Sequence, residues 1–426
     1  MPTLDETTLT EAQRARLGEI RASATAAAGK PAAIGPDIDL TKLGEVTEHD
    51  RIASLSSLEK QMREVAAGVG IDTSEESRSA SYFQLDRTPI YEKVAAAFDD
   101  AIEIMSTQEA LARYPEEMIE RWWWRAVAPH KDKYTALVAL KQTEGYFIRV
   151  KAGRKVAKPI QACLFVSEND VSQNVHNVIV VEDGAEAHVI TGCTIHPEVK
   201  TGLHAGISEF YIGKGASLTF TMIHNWAEQF HVRPRTAIDI DDDGTYVNNY
   251  VMLRPVRSIQ SFPVARCRGA RSRAVFNSIV YGLDDSYIDL GSETLLEGPG
   301  SRSEAVARTV SRDQSIVYSR GRLVARTNEC KAHLDCRGIL LSEGSTQWAI
   351  PDLASEGAPG AELSHEAAIS PIAEEEVFYL MSRGISHDDA VSMITRGFLD
   401  LDIPGLPAPL RRQIDEAIAA TAEEGM

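Results

Sequence analysis

Two short runs hold most of the side chains in this sequence that suit metal or sulfur chemistry. In ECKAHLDCRGILL, Cys330, His333 and Cys336 fall three residues apart, and LSHEAA places His365 beside Glu366 about thirty residues later. Thiolate and imidazole are zinc ligands, so a zinc site is the first chemistry to test. Extended geometry opposes it. At about 3.3 Å per residue the two cysteines stand roughly 20 Å apart, with His333 on the opposite face of the strand. Cys336, with Arg337 between, precedes the apolar GILL, where a strand start can hold a thiol rigidly. A thiolate, an imidazole and a carboxylate brought together by chain return suit iron, with N or O ligands giving a more labile site than thiolates alone. The same residues also fit a Cys–His nucleophile pair, or simply a buried cysteine and a surface His-Glu pair.

The elements that must position these groups follow from the rest of the chain. Its 426 residues are 43% hydrophobic and 25% charged, an ordinary globular composition that excludes wholesale disorder. Residues 1–130 read as a helical region, including TPIYEKVAAAFDDAIEIMSTQEALARY, with AAAGKPAAIGPD as a linker before it. Trp122, Trp123 and Trp124 cannot share one helix face. They are expected to pack this region onto the next, with a partner surface as the alternative. From about 134 to 350 the character changes to short alternating runs (YFIRV, HNVIVV, LTFTMI, AVFNSIVYG) cut by Gly, Asp or Asn, which are strand signals. Gly184, Gly215, Gly244, Gly269 and Gly300 each open such a run, at spacings of 31, 29, 25 and 31. Regular turns feeding similar strands predict stacked coils, a mainly β solenoid, with a sandwich of long hairpins as the rival. Helix returns at the C-terminal end. Ser370-Pro371 is read as cap and first turn, Gly384 as a stop, Ser386 as the next cap and Gly397 as its stop, and PAPLRRQIDEAIAATAEE as a last helix.

Several function classes are disfavoured. A net charge of −18 opposes nucleic-acid or anionic-membrane binding. There is no stretch of about 18 apolar residues and no secretory leader pattern, which points to a cytoplasmic protein. Five cysteines at irregular spacing do not form a disulfide framework. The phosphate loop G-x-x-x-x-G-K-[ST], G-x-G-x-x-G, G-x-S-x-G and H-E-x-x-H are all missing. Asp241, Asp242 and Asp243 are the one acidic cluster that might serve a carbohydrate-acting β-helix enzyme, but they read as a solvated turn.

The stretches GYFIRVKAGRKVAKPIQA, HNVIVVEDGAEAHVITGCT, LHAGISEFYIGKGASLTF with HNW, DCRGILL, and LSHEAAISPIAEEEVFYLMSRGISHDDAVSMITRGF resemble the SufB/SufD family of the SUF iron–sulfur cluster assembly system. The resemblance spans about 145–400. It implies a right-handed parallel β-helix core (131–366) flanked by N-terminal (1–130) and C-terminal (367–426) helical domains. It further implies a scaffold, not itself an enzyme, that builds a transient 4Fe–4S or 2Fe–2S cluster with the ABC-type ATPase SufC. Such a partner would account for the missing phosphate loop. Cys336 matches the cysteine that marks B-type subunits, the expected sulfur acceptor and iron ligand, and His365 and Glu366 match the His-Glu ligand pair. A D-type structural subunit without its own cluster is the alternative. Cys267 stands two residues from a cysteine position of B-type proteins and becomes a possible sulfur relay. Ser364 replaces a carboxylate common in that branch. Val377, Phe378, Leu380 and Met381 are expected to dock SufC. The other expected partners are a second copy or a SufD-like paralogue, a sulfur donor and cluster acceptors.

Overall fold

The computed structural model describes residues 9–400 and, beyond them, Arg412. Two long sheets, of twelve and ten strands, are built almost wholly from parallel pairs, each strand joining the one a coil before it. The register is continuous. Glu186, Ser217, Thr245, Arg273, Arg302, Lys331 and Glu362 form one column across seven strands. The five glycines of the sequence repeat sit just before members of that column. Gly184, Gly215 and Gly300 adopt φ of +67°, +62° and +74°, which glycine reaches without Cβ strain. The fold is therefore the β-solenoid that the glycine spacing predicts. Alternation within each strand sends one face inward, where Val189, Leu218, Tyr246, Phe276 and Leu334 belong to one apolar core.

The N-terminal part is only partly helical. Helices form at Glu11–Ala27, Lys60–Ala67, Thr107–Arg113 and Lys133–Lys141, the first closed by a reciprocal Thr10–Gln13 capping box. Only Thr107–Arg113 of the predicted 88–114 helix forms as an α-helix, and two stretches of it are strand instead, at Thr88–Val94 and Ile102–Ser106. Thr88–Val94 pairs antiparallel with Ala80–Leu85, through a turn in which Asp86 has φ +54°. Ile102–Ser106 pairs antiparallel with Tyr146–Val150. Burial of the adjacent Ile90 and Tyr91 and two rows of ladder hydrogen bonds outweigh the helix propensity of this stretch. These strands cover one end of both sheets.

The three tryptophans are buried as expected. Trp123 and Trp124 pack on the His176 ring and Trp122 on Phe147. Glu209 fixes their loop. Its fully buried carboxylate accepts the backbone N–H groups of Trp124, Arg125, Ala126 and Val127, and lies 2.8 Å from His176 Nε2.

The other end of the solenoid differs in kind. Among the described residues, its last strands, Thr346–Ser355 and Glu362–Pro371, each pair on one side only, and no antiparallel strand covers them. Strand persists to Pro371, past the expected boundary at 366, so Ser370-Pro371 does not start a helix. The helix is Glu374–Met381, entered from Ala373 with no side-chain cap. Gly384 takes φ +87° as predicted, and Ser386 caps His387–Leu399 by accepting from the Asp389 N–H. Gly397 lies inside that helix, where intact i to i−4 bonding carries it. The helix expected at 407–424 lies, apart from Arg412, outside the described residues.

Two outcomes follow. Replacing Glu209 by Ala removes the acceptor of four buried N–H groups and should cost about 3 kcal/mol in chemical denaturation. Burial raises the Glu144 carboxyl from 4.5 to about 6, so the fold favours its protonated form. That contribution is present below pH 4.5 and is lost as pH rises through about 6. Glu144→Gln should therefore match wild type near pH 4.5 and exceed it by up to about 2 kcal/mol at pH 8, read from denaturant midpoints.

Candidate functional site

Cys336 lies mid-strand in Lys331–Leu340, one coil from the bare end. Alternation puts Leu334 and Cys336 on the inner face, where both line a narrow cavity of about 70 Å³ between the sheets. Ser319 on the facing sheet and Thr309 on the neighbouring strand line it too. The residue is buried, 7% exposed. Burial pushes its pKa up, the Asp335 charge adds to this, and a hydrogen bond from Ser319 and the Arg308 guanidinium oppose it.

In-register parallel partners share a face. His365 pairs with Leu334 and Ala367 with Cys336, so His365 faces the inner side, on the last coil and exposed. Strand spacing of about 4.8 Å and a two-residue offset put the two Cβ atoms about 8 Å apart. Glu366 pairs with Asp335 and faces outward. There Arg308 Nη2 donates to Asp335 Oδ2 at 2.7 Å, Arg337 Nε to Asp335 Oδ1 at 3.0 Å, and Arg337 Nη2 to Glu366 Oε2 at 3.4 Å. The structure thus brings Cys336 and His365 to one face and Glu366 to the other. The Asp335-Cys336-Arg337 triplet carried the signal for this outer network, because alternation on a strand must separate a cysteine from both its neighbours.

The remaining cysteines are core residues. Cys330 Sγ donates to the Thr327 carbonyl, while His333 turns outward to Ser364. No group of three His, Cys, Asp or Glu side chains converges among the described residues. Cys267 is fully buried between Ile240 and Leu296 of adjacent coils, away from the lining of the Cys336 cavity, and burial pushes its thiol up to about 12. Asp241–Asp243 form the expected turn, with Asp242 and Asp243 paired to Lys214 and Arg271.

Of the helix residues expected to dock a partner, Val377 is buried in a groove with Tyr281 and Leu340 of its own chain. Phe378 and Met381 are exposed, as is the neighbouring Tyr379, at 60%, 39% and 59%. Leu380 is half-buried. No described helix is long and apolar enough to cross a membrane.

A parallel β-solenoid bearing an inward thiol near an uncovered end, followed by a short helix pair, defines a narrow structural class. The family model for the SUF system FeS cluster assembly SufBD core domain matches residues 164–398, and the chain belongs to that family. It is 46% identical to an iron–sulfur cluster assembly SufBD family protein of Methanothermobacter thermautotrophicus, covering 91% of this chain and 96% of that protein. An Archaeoglobus fulgidus protein of the same description is 41% identical, over 82% and 92%. The iron–sulfur cluster assembly protein SufB of Bacillus subtilis is 23% identical, over 88% and 82%.

All five cysteines are buried and free, so native alkylation at pH 7.5 should run at least tenfold slower than in denaturant. Cys336, which has the most exposed side chain of the five, should react first, as peptide mapping would show.

Proposed function

We propose that this chain is a scaffold on which iron–sulfur clusters are assembled and handed on. Cys336 accepts sulfur and binds iron, and His365 contributes from the same face. The observation that carries this reading is the inward thiol, walled by Ser319 and Thr309, one coil from the uncovered end. Iron and sulfide enter as cargo. A mixed thiolate and nitrogen donor set holds a cluster less firmly than four thiolates, which suits transfer. Cys336 is the direct acceptor in this reading, and Cys267, closed off in the core, is not needed as a relay.

The described residues of one chain offer too few converging donors to hold a cluster alone. The unpaired edges at Thr346–Ser355 and Glu362–Pro371 favour a second copy, or a related chain, seated on that end. An ABC-type ATPase of the SufC kind is the proposed energy source. Its docking face is built on Phe378, Tyr379 and Met381 of the first helix, with Met393 of the second also exposed.

The test is anaerobic co-expression with the candidate ATPase, followed by iron and sulfide analysis. Wild type should give a brown complex, and Cys336→Ala should lose most of its iron and sulfide. A colourless wild-type complex that still binds the ATPase would indicate a structural subunit of the D type. Stoichiometric iron and sulfide retained by Cys336→Ala would remove Cys336 from the site.

A further inference from the structure

We infer that Trp348 anchors a second copy of this chain on the bare end of the solenoid. This rests on the scaffold reading above, which seats a second chain there, and names the side chain that holds it. Of the five tryptophans four are buried, and Trp348 is 54% exposed. Among the described residues, the large apolar side chains that the solenoid leaves exposed are Trp348 and Ile369, one on each bare-end strand, and the rest lie on the helix pair. Trp348 is also held ready. It pairs in register with Tyr318, and the two rings stack at 6.3 Å and 11°. Tyr318 leans in turn on Tyr287 at 5.5 Å. The Arg320 guanidinium sits 5.3 Å over the Tyr318 ring and is fixed by the buried Asp289 at 2.6 and 3.0 Å. The stack runs from coil to coil and stops at Trp348, where no further strand among the described residues covers the last indole.

What fits there is another solenoid end. The Thr346 N–H donates to the Ser315 carbonyl and the Glu356 N–H to that of Ala325, both on the preceding coil. Even-numbered residues of Thr346–Ser355 thus bond backwards, and odd-numbered residues turn their backbone groups to the free side. Pro351 is one of these and has no N–H to offer. Backbone pairing along this edge is broken at its middle, so side chains must supply the cohesion. A two-fold axis lets each copy bring the same strand and the same indole to the other, which answers both unmatched edges at once. The strand suits such a contact. Ile350 beside Trp348 is apolar, and the Arg322–Asp352 ion pair at 3.0 Å forms a polar border. A stable dimer buries about 1,200–2,000 Å² in total and draws most of its energy from a few aromatic or arginine side chains. An indole already ordered by stacking loses little freedom on contact.

Sedimentation velocity on the full-length chain, over about two decades of concentration, tests this. Wild type should self-associate, and Trp348→Glu should raise the dissociation constant by about thirtyfold or more. Trp348→Phe, which keeps an aromatic face, should lie closer to wild type, and equal denaturant midpoints would show that both variants fold. Acrylamide quenching gives a second readout. The emission that Trp348→Phe lacks belongs to Trp348, and in wild type that share should become shielded as concentration rises. The inference is overturned if wild type stays monomeric throughout, if Trp348→Glu associates as tightly as wild type, or if Trp348 remains fully quenchable in the dimer. A monomer whose Trp348 is shielded only on adding the candidate ATPase assigns this face to that partner and also overturns it. Iron content after anaerobic loading of the same samples judges the scaffold reading separately. A dimer anchored by Trp348 that takes up no iron keeps this inference and removes the scaffold, and an iron-loaded monomer does the reverse.

Discussion

In-register parallel pairing is the constraint on which the rest of this molecule depends. Once Glu186 is stacked on Ser217, and so on to Glu362, each residue's column is fixed, and alternation then fixes its face. Like residues meet like along a column. Buried serines recur at Ser272 and Ser301, while charges alternate outside, as in Glu297, Arg326 and Glu356. Burial on the inner face and ion pairing on the outer face thus enforce the same register. A slip of one residue would bury charge and expose the core at once.

The solenoid was legible because its turns need particular residues. A residue with positive φ recurs where coils open, glycine at Gly184, Gly215 and Gly300 and aspartate at Asp243, Asp284 and Asp313, and the glycine spacing survives in a sequence whose strands share little else. The 88–114 stretch was misread because Ala, Glu and Met favour helix locally. The hydrogen bonds that make it strand come from Ala80–Leu85 and Tyr146–Val150, which no local pattern reveals. Ser370-Pro371 failed for a related reason: its cap signature is sound, but the residues are held as strand by Ile339 and Leu340.

The site was legible to a similar depth. Cysteine, histidine and carboxylate were identified as types that suit iron, and Cys336 and His365 do share a face. What spacing left open is which face each residue takes, since that depends on the register of two strands about thirty residues apart. Adjacent residues on a strand diverge, so His365 and Glu366, neighbours in the chain, leave the last strand on opposite faces.

The two ends of the solenoid are treated differently, and the thiol belongs to one of them. Antiparallel strands and the tryptophan loop anchored by Glu209 close the first end, where edge hydrogen bonds would otherwise invite association. At the other end, among the described residues, the last coil is bare, and it is the only layer over the Cys336 coil. A thiol kept protonated by burial is a poor nucleophile and a poor ligand. Its surroundings are nonetheless balanced, with Ser319 and Arg308 favouring the thiolate against burial and Asp335. Small displacements of the last coil therefore change hydration at Cys336 more than at the other four cysteines, which lie deeper in the core or are closed off by it. In the scaffold reading the working thiol lies beneath one edge strand rather than beneath a core, so exposing it disturbs the least structure.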